Sequence, residues 1–539
     1  MKKIFIYLFS IFICNTVCYS QKQNYNWLFG YNSAITWKTK QIKKLQGVYG
    51  TTSDFLTDLP TNFTGNPMTT YEGCFSISDA NGDLLFFSDG TNVWNKNMQN
   101  LLVSGTLTGN RSSAQSGSIV MYPGEINKYI ALTLGEHGAN NLSYTVVDMT
   151  LNGGLGATSG TRNILFTGQQ GILGETVTAG RHSNKTDLWV LAVGRSTENT
   201  PTVSSSSFLN VWKVTTAGPD TNIHSSVQIP NTPTYKNNPG GYIRFSPDSK
   251  HFAWINFGKT ANSYTSPIDS FICYGDFDNE NGIISNVKVK KINYANSYGY
   301  GVEFTNDSKY LYLTFAPDNL TGTFGSALIV FDFTVLNAAS DPTTVSPIKE
   351  IRNEPANVAN LNNYNFGAIQ SGPDGRMYIT KMFDKALFVI DNPKDPTNLR
   401  MYKYDFNING VVPSQTVYWG LPNFAVPWFT TAIEIPIPPN GICVNQTIPI
   451  NFFIVDGEGF EDVAKIIVDY GDGTPQQIYD PATAGIKNET HTYKNPGIYT
   501  ISATAYNVDN TVNTVVDKTI IINSCQIKVN PFIRGEFKN

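Results

Sequence analysis

Charge is scarce in this sequence, and so are histidine, cysteine and long apolar runs. Only 15% of its 539 residues are charged, against about 25% in typical globular domains. Lys+Arg and Asp+Glu nearly cancel at 38 against 42, so no basic field exists to neutralise phosphates and nucleic acid is not an expected partner. The five histidines (His137, His182, His224, His251, His491) are scattered and the six cysteines include no CxxC, which excludes the usual Cys/His zinc spacings. No run of eighteen or more apolar residues is present, so no transmembrane helix is expected. GxSxG, HExxH, Walker A and a strand-following GxGxxG are all missing, and no residue is singled out as catalytic. The closest candidate is His137, beside Glu136 in an inter-strand loop, where a solvated loop histidine is the plainer reading.

Aromatics, by contrast, reach 13%. A chain this poor in charge and rich in Tyr and Phe is not disordered and can bury a large core. At its N-terminus Lys2 and Lys3 precede the apolar run 4–13, too short to span a bilayer, and Ser20 offers a small residue for cleavage. Residues 1–20 therefore read as a signal peptide. Acylation at Cys14 or Cys18 is the weaker alternative, because neither follows a small residue. The mature chain is expected to be exported, extracellular or at the cell surface with the periplasm as the alternative, in an oxidising space where Cys74, Cys273, Cys443 and Cys525 allow three pairings.

One unit recurs through the first 430 residues: a polar turn closing on a charged residue, then a β-rich strand. Its copies close on Asp83, Lys128, Asp187, Lys250, Lys309 and Arg376, at separations of 45, 59, 63, 59 and 67 residues. Five copies continue into a second strand, at 143–149, 209–214, 271–277, 327–333 and 386–392. Strands of this kind, punctuated by Gly, Asn, Asp and Pro, predict an all-β fold. Radial closure would remove the exposed edges of so long a series of hairpins. With a mean period of about 59 residues, 21–430 divides into seven blades, the seventh built from both ends by 24–30 and 35–39 closing against 416–429. A β-helix would need a shorter period, and a β-sandwich gives no reason for sixfold recurrence.

A Pro-rich linker, 431–441, leads to a second all-β segment, 442–525, followed by a tail, 526–539. At this size an immunoglobulin-like sandwich is expected. Its residues Gly471-Asp472-Gly473 and His491, Tyr493, Pro496, Gly497 and Tyr499 resemble the signature of the PKD domain. Cys443 and Cys525 bracket the segment, and a disulfide between them is expected. It would close a loop of about 80 residues, a constraint of roughly 4 kcal/mol in the chain-entropy account. Alkylation of the unreduced exported protein should then leave both thiols unlabelled, and labelling of both would remove the bond.

NWLFG (26–30), YEGCFSISDANGDLLFFSDGTNVWN (71–95) and GLPNF (420–424), with the SPDSK and NDSK turns between them, are together similar to the N-terminal propeller of large secreted surface proteins of gliding, Bacteroidetes-type bacteria, in which PKD modules follow. The resemblance implies a seven-bladed β-propeller with a PKD spacer. It also implies a non-enzymatic role in adhesion, recognising glycan or protein ligands, with the chain acting as a monomer. Those relatives end in a sorting domain for type IX secretion whose phrase is not found here, so attachment by that route is not expected.

Candidate sites are few. Asp79, Asn81 and Asp83, the run 276–282, and Asp469 with Asp472 offer oxygen ligands of the kind Ca²⁺ takes, but ordinary turn chemistry accounts for each, and no cofactor is expected. Asp89 and its neighbours faintly resemble an Asp-box, itself a structural turn. Loops at 70–73, 237–242, 293–301 and 360–367 combine Tyr and Phe with Asn, Ser and Gly, suited to sugars or polar protein surfaces, and should gather on one face. The alternative readings are an extracellular carbohydrate-active enzyme with paired carboxylates in the funnel, and a purely structural scaffold.

Overall fold

A computed structural model describes residues 22–79, 81–102, 104–136, 139, 141–184, 186–195, 206–230, 240–256, 270–292, 297–317, 326–353, 366–382, 384–406, 415–425, 432–434, 442–454, 463–482, 485–507, 510 and 512–524. Residues 1–20, expected to be a signal peptide, His137, Cys525 and 526–539 lie outside them, as do most of 431–441 and much of the loops at 237–242, 293–301 and 360–367. Among the described residues no helix is long and apolar enough to cross a membrane.

Up to Asp405 the described residues form six antiparallel sheets. Five follow one another along the chain, their first strands being Phe75–Ser78, Gly117–Met121, Ile172–Arg181, Ile243–Phe245 and Ser297–Phe304. The sixth has seven strands and joins the two ends of this region: Asn26–Phe29, Ser33–Val48 and Asp54–Asn62 on one side, Phe366–Ser371, Met377–Lys381, Ala386–Ile390 and Met401–Asp405 on the other. The junction is the pairing of Gln46, Gly47 and Val48 with Lys403, Tyr402 and Met401. First strands of successive sheets lie against one another. Middle strands such as Ala386–Ile390 are buried throughout, which is why they read as continuous apolar runs. The outer strand Ile283–Lys291 is mostly exposed or half-buried and carries Lys288, Lys290 and Lys291, charges that discourage edge pairing with another chain.

Five of the six recurring turns join the first strand of a sheet to its second, and the sixth, closing on Arg376, joins the end strand Phe366–Ser371 of the seven-stranded sheet to Met377–Lys381. Their chemistry is local. Asp79, Asp248, Asp307 and Asp374 each turn a carboxylate oxygen back onto the backbone N–H of the charged residue that closes the turn, at 2.9, 3.1, 3.1 and 3.3 Å. The residue just before it, Gly82, Ser249, Ser308 or Gly375, has φ between 54° and 83°, the left-handed geometry such Asx turns favour.

The expected closure is corrected. Residues 416–425 do not pair as strands with 24–39. They descend alongside the first strands instead, touching Tyr31 through Thr416, Cys74 through Pro422 and Ile119 through Phe424 in isolated bridges. Two residues explain the difference. Gly420 approaches the neighbouring loop so closely that a Cβ there would lie 1.7 Å from the Glu72 carbonyl oxygen. Asn423 forms hydrogen bonds with several sheets at once, which an edge strand cannot do.

The C-terminal segment holds two further sheets, one containing Thr447–Ile454 and Gly485–Thr492, the other Val463–Asp469, Gly497–Asn507 and Val512–Asn523. They enclose Ile448, Ile450, Ile466, Val468, Ile501 and Ile520. The signature residues are structural. Gly471 and Gly473 take φ of 74° and 78°. Asp472 binds His491 Nε2 at 2.8 Å, the His491 ring stacks on Tyr470 at 4.0 Å, and Tyr493 donates to the Tyr470 carbonyl. Pro496 and Gly497 open the strand that carries Tyr499, whose ring lies 4.5 Å from that of Tyr493. Cys443 is disulfide-bonded, while Cys74 and Cys273 are free and buried.

This segment is held against the seven-stranded sheet. Thr519 donates its N–H to Asp58 at 2.8 Å, and its carbonyl accepts from Thr57 Oγ1 at 2.6 Å. Lys518 is depressed below the usual lysine range by burial and by Arg376 nearby, against the pull of Asp58, Asp374 and Asp391.

Candidate functional site

The first strands bring together side chains far apart in sequence at the point where 416–425 enters between them. On the rim, Tyr31, Tyr71 and Tyr418 cluster, with ring centroids 4.3 Å apart for Tyr31 and Tyr418 and 5.5 Å for the other two pairs. Burial, then contacts with the other two hydroxyls, push the Tyr31 phenol up. The Arg111 guanidinium lies 5.3 Å from the Tyr71 ring centroid, a cation–π distance. Tyr71 is 39% exposed. Glu136 accepts from Asn110 Nδ2 at 2.9 Å.

Two carboxyl groups, that of Glu72, next to Tyr71, and that of Glu175, lie within electrostatic reach of each other. Glu175, only 5% exposed, is turned inward by an irregularity in the strand Ile172–Arg181, and its Oε2 accepts from the Ala114 N–H at 3.2 Å. Glu72 is partly buried and lies on the loop before Phe75–Ser78, its N–H bonded to the Arg111 carbonyl. Burial first, then the charges of Glu175 and Glu136, raise the Glu72 carboxyl well above its ordinary range. Tyr300, wholly buried, has its phenol pushed up by burial and then by Glu72, and it packs on Trp419 at 5.1 Å. A raised carboxyl beside a second carboxyl group is an arrangement in which one can act as proton donor and the other as acceptor.

Deeper still, the passage is filled. Leu421 exchanges hydrogen bonds with the Tyr242 hydroxyl. Asn423 Nδ2 donates to the carbonyls of Gly117 and Val177 at 2.8 and 2.9 Å, and its Oδ1 accepts from Gln115 Nε2 at 3.2 Å and from Arg244. Its own N–H reaches the Cys74 carbonyl. Arg244 also bonds Gln370 and faces Glu303 at 3.5 Å. Burial moves the Glu303 carboxyl up to about 7, against the opposing pull of Arg244. Phe424 ends the segment 6.1 Å from Trp27.

The carboxylates named as Ca²⁺ candidates do not converge here. Asp79 caps its own turn through Asn81 and Asp83, and Asp83 pairs with Lys38. Asp278 accepts from Glu280 and Asn281, Asp469 from Gly471 and Gln476, and Asp472 from Thr474 and His491. Asp89 bonds the N–H groups of Thr91 and Asn92. Among the described residues no group of three or more His, Cys, Asp or Glu is placed to hold a metal ion. Of the aromatic loops, that at 70–73 supplies Tyr71 and Glu72, and Tyr300 ends another. Glu175 and Arg244 were not anticipated, although each is a charge inside an otherwise apolar strand, in ILGETVTAG and YIRF.

No protein-family model matches the chain, and no curated protein matches it. Among solved structures it is similar to a protein assigned as a 6-phosphogluconolactonase from Bacteroides uniformis (14% identity over 76% of this chain and 92% of that one, TM-score 0.34). It is also similar to a luciferin-regenerating enzyme (12%, 72% and 98%, 0.32) and to a puromycin hydrolase (11%, 78% and 55%, 0.34). Likenesses this remote carry no argument about the chemistry of this chain.

Proposed function

We propose that this chain is an exported carbohydrate-binding protein: a seven-bladed propeller whose mouth holds the ligand, with a PKD-like sandwich fixed to its side. Seven blades follow if the seven-stranded sheet is counted as two, one from each end of the region, joined at the pairing of 46–48 with 401–403. The observation that carries the function is the mouth itself. Three tyrosines with an arginine lie near two carboxyl groups, giving apolar faces for sugar rings and polar partners for their hydroxyls.

A second reading, glycoside hydrolysis, is favoured by one feature of the same site. Burial and the neighbouring Glu175 raise the Glu72 carboxyl well above its ordinary range, and glycosidases use a pair of carboxyl groups as acid and base.

One experiment separates them. The exported protein is screened on a glycan array, and each positive is assayed for release of reducing ends. Under the binding reading nothing is released, and Tyr71→Ala weakens binding by about tenfold or more, the loss of one ring face. Under the hydrolytic reading the sugar is cleaved, and Glu72→Gln slows cleavage by roughly 10²–10⁴ with little change in affinity. An array on which nothing binds sinks both.

A further inference from the structure

We infer that the C-terminal segment is the clasp that keeps the two ends of the first region joined, so that release of the segment and opening of the seam between those ends are one event. The seam is slight by itself. Three residue pairs, 46–48 with 401–403, tie the ends together as strands, the fewest between any two neighbouring strands described in the seven-stranded sheet.

Beside the seam the strand Asp54–Asn62 is bulged where the segment meets it. Leu56 pairs with Lys43 and Leu59 with Gln41, which leaves Thr57 and Asp58 opposite the single residue Ile42. Asp58 takes φ of 57°, a left-handed geometry uncommon outside glycine, and a bulge of this kind re-aims side chains away from the regular ladder. Both residues turn to the segment: Thr57 Oγ1 donates to the Thr519 carbonyl at 2.6 Å, and Asp58 accepts from the Thr519 N–H at 2.8 Å. The Thr57 carbonyl meanwhile accepts from Arg376 of the last end at 2.9 Å. Thr57 thus belongs to the first end by its backbone, holds the last end by its carbonyl and holds the segment by its hydroxyl.

Charge repeats the arrangement. Asp374 and Asp391 of the last end pair with Arg376 and Arg400, Asp58 of the first end lies 3.8 Å from Lys40, and Lys518 of the segment feels the carboxylates of both ends. Leu56, Tyr402 and Ile520, one from each of the three parts, line a single cavity of about 100 Å³ here. Withdrawing the segment would take a bonding partner from Thr57 and Asp58 and a cation from the cluster, leaving the three-pair ladder to hold the ends. Coupling of this kind is reciprocal, so loosening the seam also loosens the segment.

The test is hydrogen exchange followed by mass spectrometry on the full chain. The parent is compared with Thr57→Val, which deletes the hydroxyl but keeps the shape and the carbonyl, and with Lys518→Met. The expected result is that in both variants the amides of 46–48 and 401–403 exchange at least tenfold faster, together with that of Thr519, while those of His251–Ile255 in another sheet change less than twofold. Faster exchange at Thr519 with the seam unchanged overturns the inference, because the segment is then a passenger. An equal rise in every sheet overturns it too, making the segment a source of general stability, and so does exchange that stays unchanged throughout. Should Lys518→Met fail to fold, Thr57→Val decides by the same outcomes.

Discussion

Asn423→Ala is expected to lower the stability of the chain by roughly 3–5 kcal/mol, the sum of orphaning two buried carbonyls at about 1–3 kcal/mol each and of taking one acceptor from a buried guanidinium. The amide is 1% exposed and joins four sheets that are neighbours in space but lie up to 170 residues apart in the chain, from Cys74 to Arg244. Its loss leaves the Gly117 and Val177 carbonyls without the Nδ2 donor, and Arg244 with only Gln370 and Glu303. Asn423→Asp does not rescue it. A carboxylate suits Arg244 but has no N–H for the two carbonyls, which would then face a negative charge. Equilibrium unfolding in urea, followed by tryptophan fluorescence, measures the effect. A midpoint within error of the parent's would mean that the axial segment rides in the passage without holding it together.

Asp391→Asn is expected to cost about 3 kcal/mol near neutral pH. Its carboxylate, 9% exposed, bonds Arg376 at 2.7 Å and Arg400 at 2.6 Å, and Lys518 of the docked C-terminal segment lies close enough to act on it. Burial alone would raise this carboxyl, yet Arg376, then Arg400 and Lys518, hold it below the ordinary aspartate value. The sign follows. A depressed carboxyl contributes stability that is fully present above the unfolded value of about 3.9 and is lost as pH falls through the lower folded value. The parent and the variant should therefore differ most above about pH 5 and converge toward pH 2, as read from thermal midpoints across that range. A constant gap at every pH would show that packing, and not charge, is what Asp391 supplies. Because Arg376 also bonds the Thr57 carbonyl, beside the Thr57–Thr519 contact of the docked segment, the same substitution should loosen that segment, seen as faster hydrogen exchange at Thr519.

The recurring turn was legible residue by residue because its cause is local. An Asp oxygen reaching a backbone N–H two to four positions on, with a small residue at positive φ, needs no tertiary partner, and the copies closing on Asp83, Lys250, Lys309 and Arg376 are built this way. The signature of the C-terminal segment was legible for a similar reason: Gly471, Asp472 and His491 build one corner and touch little else. The course of 416–425 was not. Its aromatic, apolar pattern reads equally well as an edge strand or as an axial filler, since both bury the same side chains. Glu72 and Glu175 were missed because a carboxylate takes its meaning from what surrounds it, and they are 103 positions apart.

By itself the sequence determined an all-β chain, its recurring unit and its turns, because each follows from hydrogen bonds and burial patterns among near neighbours. Only the tertiary structure decided how the ends of the ring meet, what fills its centre, that the last segment docks on the junction, and that Glu72 and Glu175, two of 42 acidic residues, come within electrostatic reach of each other. Those are contacts between strands distant in the chain, where packing chooses among partners that local chemistry leaves equivalent.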